Sequence, residues 1–241
     1  METTVMSSRR AAIPIAYPAM LYRLMAWLSP AYPVGAFSYS SGIEWAVETG
    51  DISDAATLQC WLTVMIGNGG GFCDAVLFLH AYRAVEENNA TALCAVSELA
   101  AALAPSKERF LETTAQGRAF LDVTQAAWPC AALTRLTKTW QGPLAYPIVV
   151  GVTAAGHKIA LEPALTAYLY AMAANLVSAG VRLVPLGQTD GQRVLAALEP
   201  LMAATAKRAL ATPLDDIGSA AFRADIASMR HETQHTRLFR S

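Results

Sequence analysis

A chain of 241 residues with a net charge of -1 can bury a sizeable core, and it carries no basic stripe of the kind that binds nucleic acid. Hydrophobic residues make up 54% and charged residues 15%, where about 25% charged is usual, so much of the surface is left apolar and suited to a partner. The four cysteines, Cys60, Cys73, Cys94 and Cys130, form no C-x-x-C pair and read as small buried hydrophobes rather than a metal cage.

In chain order, residues 1–16 are small and polar without periodicity and are expected to form an N-terminal arm. Tyr17 to Leu28 predicts a first helix, stopped by Ser29-Pro30. Ser53 is placed to cap a helix whose apolar stripe is Leu58, Trp61, Leu62 and Met65. The cluster Gly67 to Gly71 ends it, and Asp74 to Glu87 is the next helix, with Asn88-Asn89 as its stop. Ser106, after Pro105 and ahead of Arg109, opens another. Pro143 and Pro147 bracket a break before an apolar helix reaching about His157. Glu162-Pro163 starts a helix with Leu165, Leu169, Met172 and Leu176 on one face. Gly187 to Gly191 is a polar break, in which Thr189 or Asp190 can act as a cap. Val194, Leu195, Leu198, Leu201 and Met202 then recur at helical spacing, with Pro200 expected to kink or divide the element. Asp215-Asp216 leads a final helix ending near Gln234. The one strand-like run, Ile148-Val149-Val150, is short. The expected fold is therefore all-α: a single-domain helical bundle of roughly eight to ten helices over 17–235, with 236–241 as a C-terminal docking tail.

The run Pro163 to Val181 is uncharged but rich in alanine and tyrosine, which fits a buried core helix better than a membrane span. Pro14 and Pro18 break the apolar stretch after Arg9 and Arg10, so it does not read as a signal peptide. A soluble, cytoplasmic chain with no membrane partner is expected.

Three segments interrupt the apolar pattern. Ser29 to Trp45 reads SPAYPVGAFSYSSGIEW; its prolines and Gly35 set an irregular turn, and Phe37, Tyr39 and Trp45 are interface-type anchors. Its serines lack the G-x-S-x-G elbow of a nucleophile. Pro185 to Arg193 reads PLGQTDGQR, and no G-x-x-x-x-G-K-[ST] occurs anywhere. Met229 to Ser241 reads MRHETQHTRLFRS. On a helix its His231 and His235 would share a face with Glu232 between them, the pattern of a zinc hydrolase. None of Thr236 to Ser241 is a zinc ligand, and His80 and His157 have no ligand spacing to the pair. The other reading is a polar helix end followed by a tail in which arginines surround Phe239, either protruding to dock on a partner or folding back onto its own dimer.

Together the three segments resemble the UreF family of urease accessory proteins, across nearly the whole chain from about Tyr17. The family commonly has tyrosine at the position of His235, which makes the H-E-x-x-H pattern incidental. The resemblance implies an all-helical homodimer without enzymatic activity or cofactor. It implies partners in UreD (UreH in some bacteria), the GTPase UreG and apo-urease, and a role in delivering nickel to urease. The missing phosphate-binding loop agrees with GTP hydrolysis belonging to UreG. By the same resemblance, Glu44, Gln188, Asp190, Gly191 and Gln192 are expected on the UreG face, with Glu44, Gln188, Asp190 and Gln192 exposed. Arg230, Arg237, Leu238, Phe239, Arg240 and Ser241 are expected on UreD.

Overall fold

The structure, a computed structural model, describes residues 17–241; the expected arm at 1–16 lies outside them. Among the described residues every regular element is helical. The helices are α1 (Tyr17–Trp27), α2 (Ile43–Glu48), α3 (Ala55–Asn68), α4 (Gly70–Glu86), α5 (Ala90–Ala102) and α6 (Lys107–Ala127). They continue as α7 (Ala131–Thr139), α8 (Tyr146–Gly156), α9 (Leu161–Leu183), α10 (Gln188–Leu210) and α11 (Phe222–His231). All but the six-residue α2 have nine residues or more, so the described residues hold ten such helices, within the eight to ten expected.

Two apolar helices make the centre. In α4 nearly every residue from Gly71 to Val85 is buried, and in α8 the run Pro147 to Ala155 is wholly buried. They pack together at Gly151, where a Cβ would stand 2.6 Å from the Phe78 carbonyl oxygen. Ile148-Val149-Val150 is helix here, because a helix buried on all sides needs no polar face. α9 and α10 form a hairpin that covers α3 and α4. Tilted and edge-on aromatic contacts run from Trp27 through Trp128, Tyr32, Phe120, Tyr146 and Tyr168 to Phe78.

Several expected boundaries move. Asp54, not Ser53, caps α3: its carboxylate accepts the Thr57 N–H at 2.8 Å, and Thr57 Oγ1 accepts the Asp54 N–H, a closed capping box. The glycine cluster both ends α3 and starts α4, because Gly71 must pass within 2.7 Å of the Ile66 Cα as measured from its missing Cβ. Ser106 caps α6 as expected, accepting the Arg109 N–H. α10 begins at Gln188, so the expected polar break is its first turn; Gly187 is the cap and neither Thr189 nor Asp190 serves. α10 also runs unbroken through Pro200. Asp215 and Asp216 lie in a 3-10 turn after Pro213, and α11 begins only at Phe222, beyond Gly218. Cys73 is buried as expected, whereas Cys60 is exposed. Two stretches, Ala55–Glu86 and Leu161–Leu183, have membrane-span length and hydropathy, but 67% and 50% of their most apolar windows are buried inside the bundle.

Candidate functional site

The final helix stops at His231, one turn earlier than its pattern predicts, and the chain then turns back on itself. Leu238 to Ser241 lie against the turn at Ser38 to Glu44. The Arg240 N–H donates to the Ser38 carbonyl at 2.8 Å, and the Ser40 N–H donates to the Ser241 carbonyl at 2.7 Å. Phe239 is 6% exposed and Ser241 is fully buried. The protruding tail expected from sequence is thus corrected: in the isolated chain it is folded back onto its own bundle. Phe239 supplies the apolar area, and buried carboxylates supply acceptors for tail N–H groups that water would otherwise satisfy.

Glu44, expected to be exposed, is 6% exposed and holds this seam. Its Oε1 accepts the Leu238 N–H at 2.7 Å, and its Oε2 accepts the Phe239 N–H at 3.0 Å. His231 is fully buried between two carboxylates, with Nε2 3.0 Å from Glu44 and Nδ1 2.7 Å from Glu108. Each ring nitrogen thus meets one buried carboxylate oxygen. Glu108 also receives Arg237 at 2.8 Å. One helical turn on, Glu112 pairs with Arg109 at 2.6 Å and accepts from Ser41 and Ser241 hydroxyls at 3.2 and 2.8 Å. Three buried carboxylates therefore face two guanidinium groups and an imidazole. Each buried carboxylate thus has hydrogen-bonding partners inside the seam, as a buried charge requires.

These contacts also dispose of the zinc pattern. His231 spends both nitrogens on Glu44 and Glu108, Glu232 accepts the Lys107 N–H at 3.0 Å, and His235 lies exposed beyond the helix end. The two histidines do not share a helix face. Among the described residues, no group of three or more His, Cys, Asp or Glu is placed to hold a metal ion. His80 contacts the Thr212 carbonyl, and His157 lies between Arg23 and the Trp128 carbonyl, with burial lowering its pKa.

At the outer rim Arg182 of α9 is sandwiched between two rings, its guanidinium carbon 3.6 Å from the Phe37 centroid and 4.3 Å from that of Phe239. Phe37 and Leu238 stay 66% and 77% exposed. Arg230 and Arg240 are exposed, and Arg237 is exposed while it pairs with Glu108. The other expected face is separate: Gln188 and Gln192 are exposed on the first turn of α10, and Asp190 pairs with Arg193 at 2.8 Å. Gly191 is buried there, with room for no Cβ beside Val181. Glu44 hydrogen-bonds to the tail and His231, not to these residues.

Glu108, Glu112 and Arg109 were not singled out by sequence reasoning. The signal was present: Glu108, Glu112 and Gln116 recur every fourth residue on α6, and all three are buried. A polar stripe on one helix face of a charge-poor chain reads by default as solvated, and only the fold reveals it as a lining.

The sequence model of the UreF family matches residues 52–199. A urease accessory protein UreF of Bradyrhizobium diazoefficiens is 60% identical over 223 residues, covering 92% of both chains. Another, of Rhodopseudomonas palustris strain BisB18, is 57% identical over 241 residues and covers both chains completely. A third, of Bradyrhizobium sp. strain BTAi1, is 60% identical over 225 residues and covers 93% of both.

Proposed function

The chain belongs to the UreF family, and on that premise we propose that it is a non-catalytic, cytoplasmic scaffold of urease maturation. In this reading it acts as a homodimer, bridges UreD (or UreH) and the GTPase UreG on apo-urease, and supports nickel insertion. The observation that carries the proposal is the seam itself. Two segments 201 positions apart in sequence lock into one surface that leaves Phe37 and Leu238 exposed, with Arg230 and Arg240 also exposed. Apolar and arginine side chains fixed on a rigid base are what a protein interface uses, because their ordering cost is already met. Further apolar side chains stay exposed along α1 (Tyr17, Tyr22 and Met25) and α11 (Phe222, Ile226 and Met229), as suits a chain that works inside an assembly.

UreD is assigned to the seam rim and UreG to Gln188, Asp190 and Gln192. Gly191 shapes that second face, and Glu44 contributes from beneath the seam by fixing the tail. Co-purification of tagged chain with UreD and UreG tests the reading. Leu238→Asp should lose UreD, since an exposed residue can be changed without unfolding the bundle. Asp190→Ala should reduce UreG recovery with helicity unchanged. Normal capture of both partners by these variants would remove the assigned faces. Failure of the parent chain to capture either would remove the function. Sedimentation that gives monomer at every concentration, with and without UreD, would remove the dimer.

A further inference from the structure

A cavity of about 390 Å³ opens beside the seam, bounded by α4, α6, α9 and α11. Its size is within the ordinary range for small-molecule sites, about 300–1,000 Å³. Apolar side chains such as Val34, Leu77 and Leu176 make much of its wall. Its chemistry is lopsided. Asp74 of α4 and Asp225 of α11 both line it, as does the Cys73 thiol, whose pKa burial and both carboxylates push up to about 12. Arg109 is the only basic side chain among the described lining residues; it pairs with Glu112 at 2.6 Å and Ser41 at 2.9 Å, and its charge partly offsets those of Asp74 and Asp225 without pairing with either. Tyr168 donates to Asp74 Oδ2 at 2.9 Å; among the described residues no cation comes within ion-pairing distance of Asp74 or Asp225. An apolar pocket with an unneutralised acidic end is complementary to an apolar stem with a cationic head. A divalent metal fits less well, because the thiol is held protonated, and among the described residues no group of three or more His, Cys, Asp or Glu is placed to hold one.

We propose that this cavity binds a primary alkylammonium or alkylguanidinium group, with Asp74 as its counter-ion, Asp225 as a second acceptor and the apolar wall around its stem. The cavity shares Phe37, Ser41, Arg109 and Glu112 with the seam, but its ligand and its test require no urease partner. Its ligand is either a free amine or a lysine or arginine side chain presented by another protein; the head group and stem are the same.

Calorimetric titration of the full chain at pH 8 tests this with n-pentylamine, with the neutral isostere 1-pentanol, and with the blocked tripeptide acetyl-Gly-Lys-Gly-amide. The expected result is saturable binding of pentylamine at least tenfold tighter than pentanol, weakened at least tenfold by Asp74→Asn. Asp225→Asn carries the same expectation should Asp74→Asn lose helicity. Tripeptide binding as tight as pentylamine identifies a side chain as the source, and binding of pentylamine alone identifies a free amine. Binding should also weaken from pH 8 to pH 5 as Asp74 takes up a proton; its carboxyl is faced by Tyr168 from α9, Cys73 on α4, Arg109 and Glu112 from α6, and Asp225 from α11. Absence of saturable binding by pentylamine and tripeptide, equal binding of pentanol, or undiminished binding in both aspartate variants overturns the proposal.

Discussion

Gly42 lies so close to Ser228 that a Cβ built on it would stand 2.6 Å from the Ser228 amide nitrogen. Its φ is +83°, the left-handed region, so the turn into α2 and the approach of α11 both require glycine at this one position. Gly42→Ala is expected to cost about 2–4 kcal/mol from strain and overpacking together. Gly35→Ala, with a similar φ of +75° but open space around it, should cost only about 1–2 kcal/mol. Urea denaturation of the two variants checks the difference; equal losses would mean that the contact with α11 contributes nothing.

Deletion of Leu238 to Ser241 is expected to lower the melting temperature. The sequence alone predicts a tail whose loss leaves the bundle untouched, but its docking buries Phe239 and satisfies Glu44 and Glu112. Losing the buried ring alone is worth about 2–3 kcal/mol, or roughly 5–10 °C for a chain of this size. A truncated chain that melts unchanged by calorimetry would show that the seam adds no stability.

His231→Ala leaves Glu44 and Glu108 buried without the ring between them, and is expected to destabilise by about 3–5 kcal/mol. His235→Ala, at an exposed site, should fall within about 0.5 kcal/mol of the parent. Chemical unfolding of both variants reads this asymmetry. A zinc pair would respond alike at both positions and would show metal-dependent melting.

Asp74 gives a pH signature. Burial is the main cause that raises its pKa to about 6, against partial relief from Arg109 and Tyr168. The folded state therefore binds the proton more tightly than the unfolded chain. The stability this contributes is complete below about pH 4 and is lost as pH rises through about 6. Asp74→Asn should accordingly be more stable than the parent at pH 8, by an amount of order 2 kcal/mol, and should lose that advantage towards pH 4. Melting curves across this range check the sign; a variant less stable at pH 8 would refute it.

Apolar periodicity made most helices legible, because a stripe such as Leu165, Leu169, Met172 and Leu176 has few other structural uses. Boundaries were less so. The capping role of Asp54 depends on which of two adjacent polar residues turns inward, and the continuity of α10 through Pro200 depends on packing. Membership of the UreF family was legible from the three ordered segments. The contacts between the first and third were not, since nothing local to Glu44 encodes a partner in Phe239, 195 positions away. The same distance hid the burial of His231, whose neighbours in sequence suggested a metal ligand.

The seam also has a consequence for synthesis. Its closing hydrogen bond joins Ser40 to Ser241, so the first of these residues is made long before its partner emerges from the ribosome. Contacts of such separation form late, because the chain entropy of closing the loop must be met first. Until then the Glu44 carboxylate and its neighbours on α6 have no tail to receive. The composite surface therefore exists only once both segments have been made and have met, however early the first of them folds.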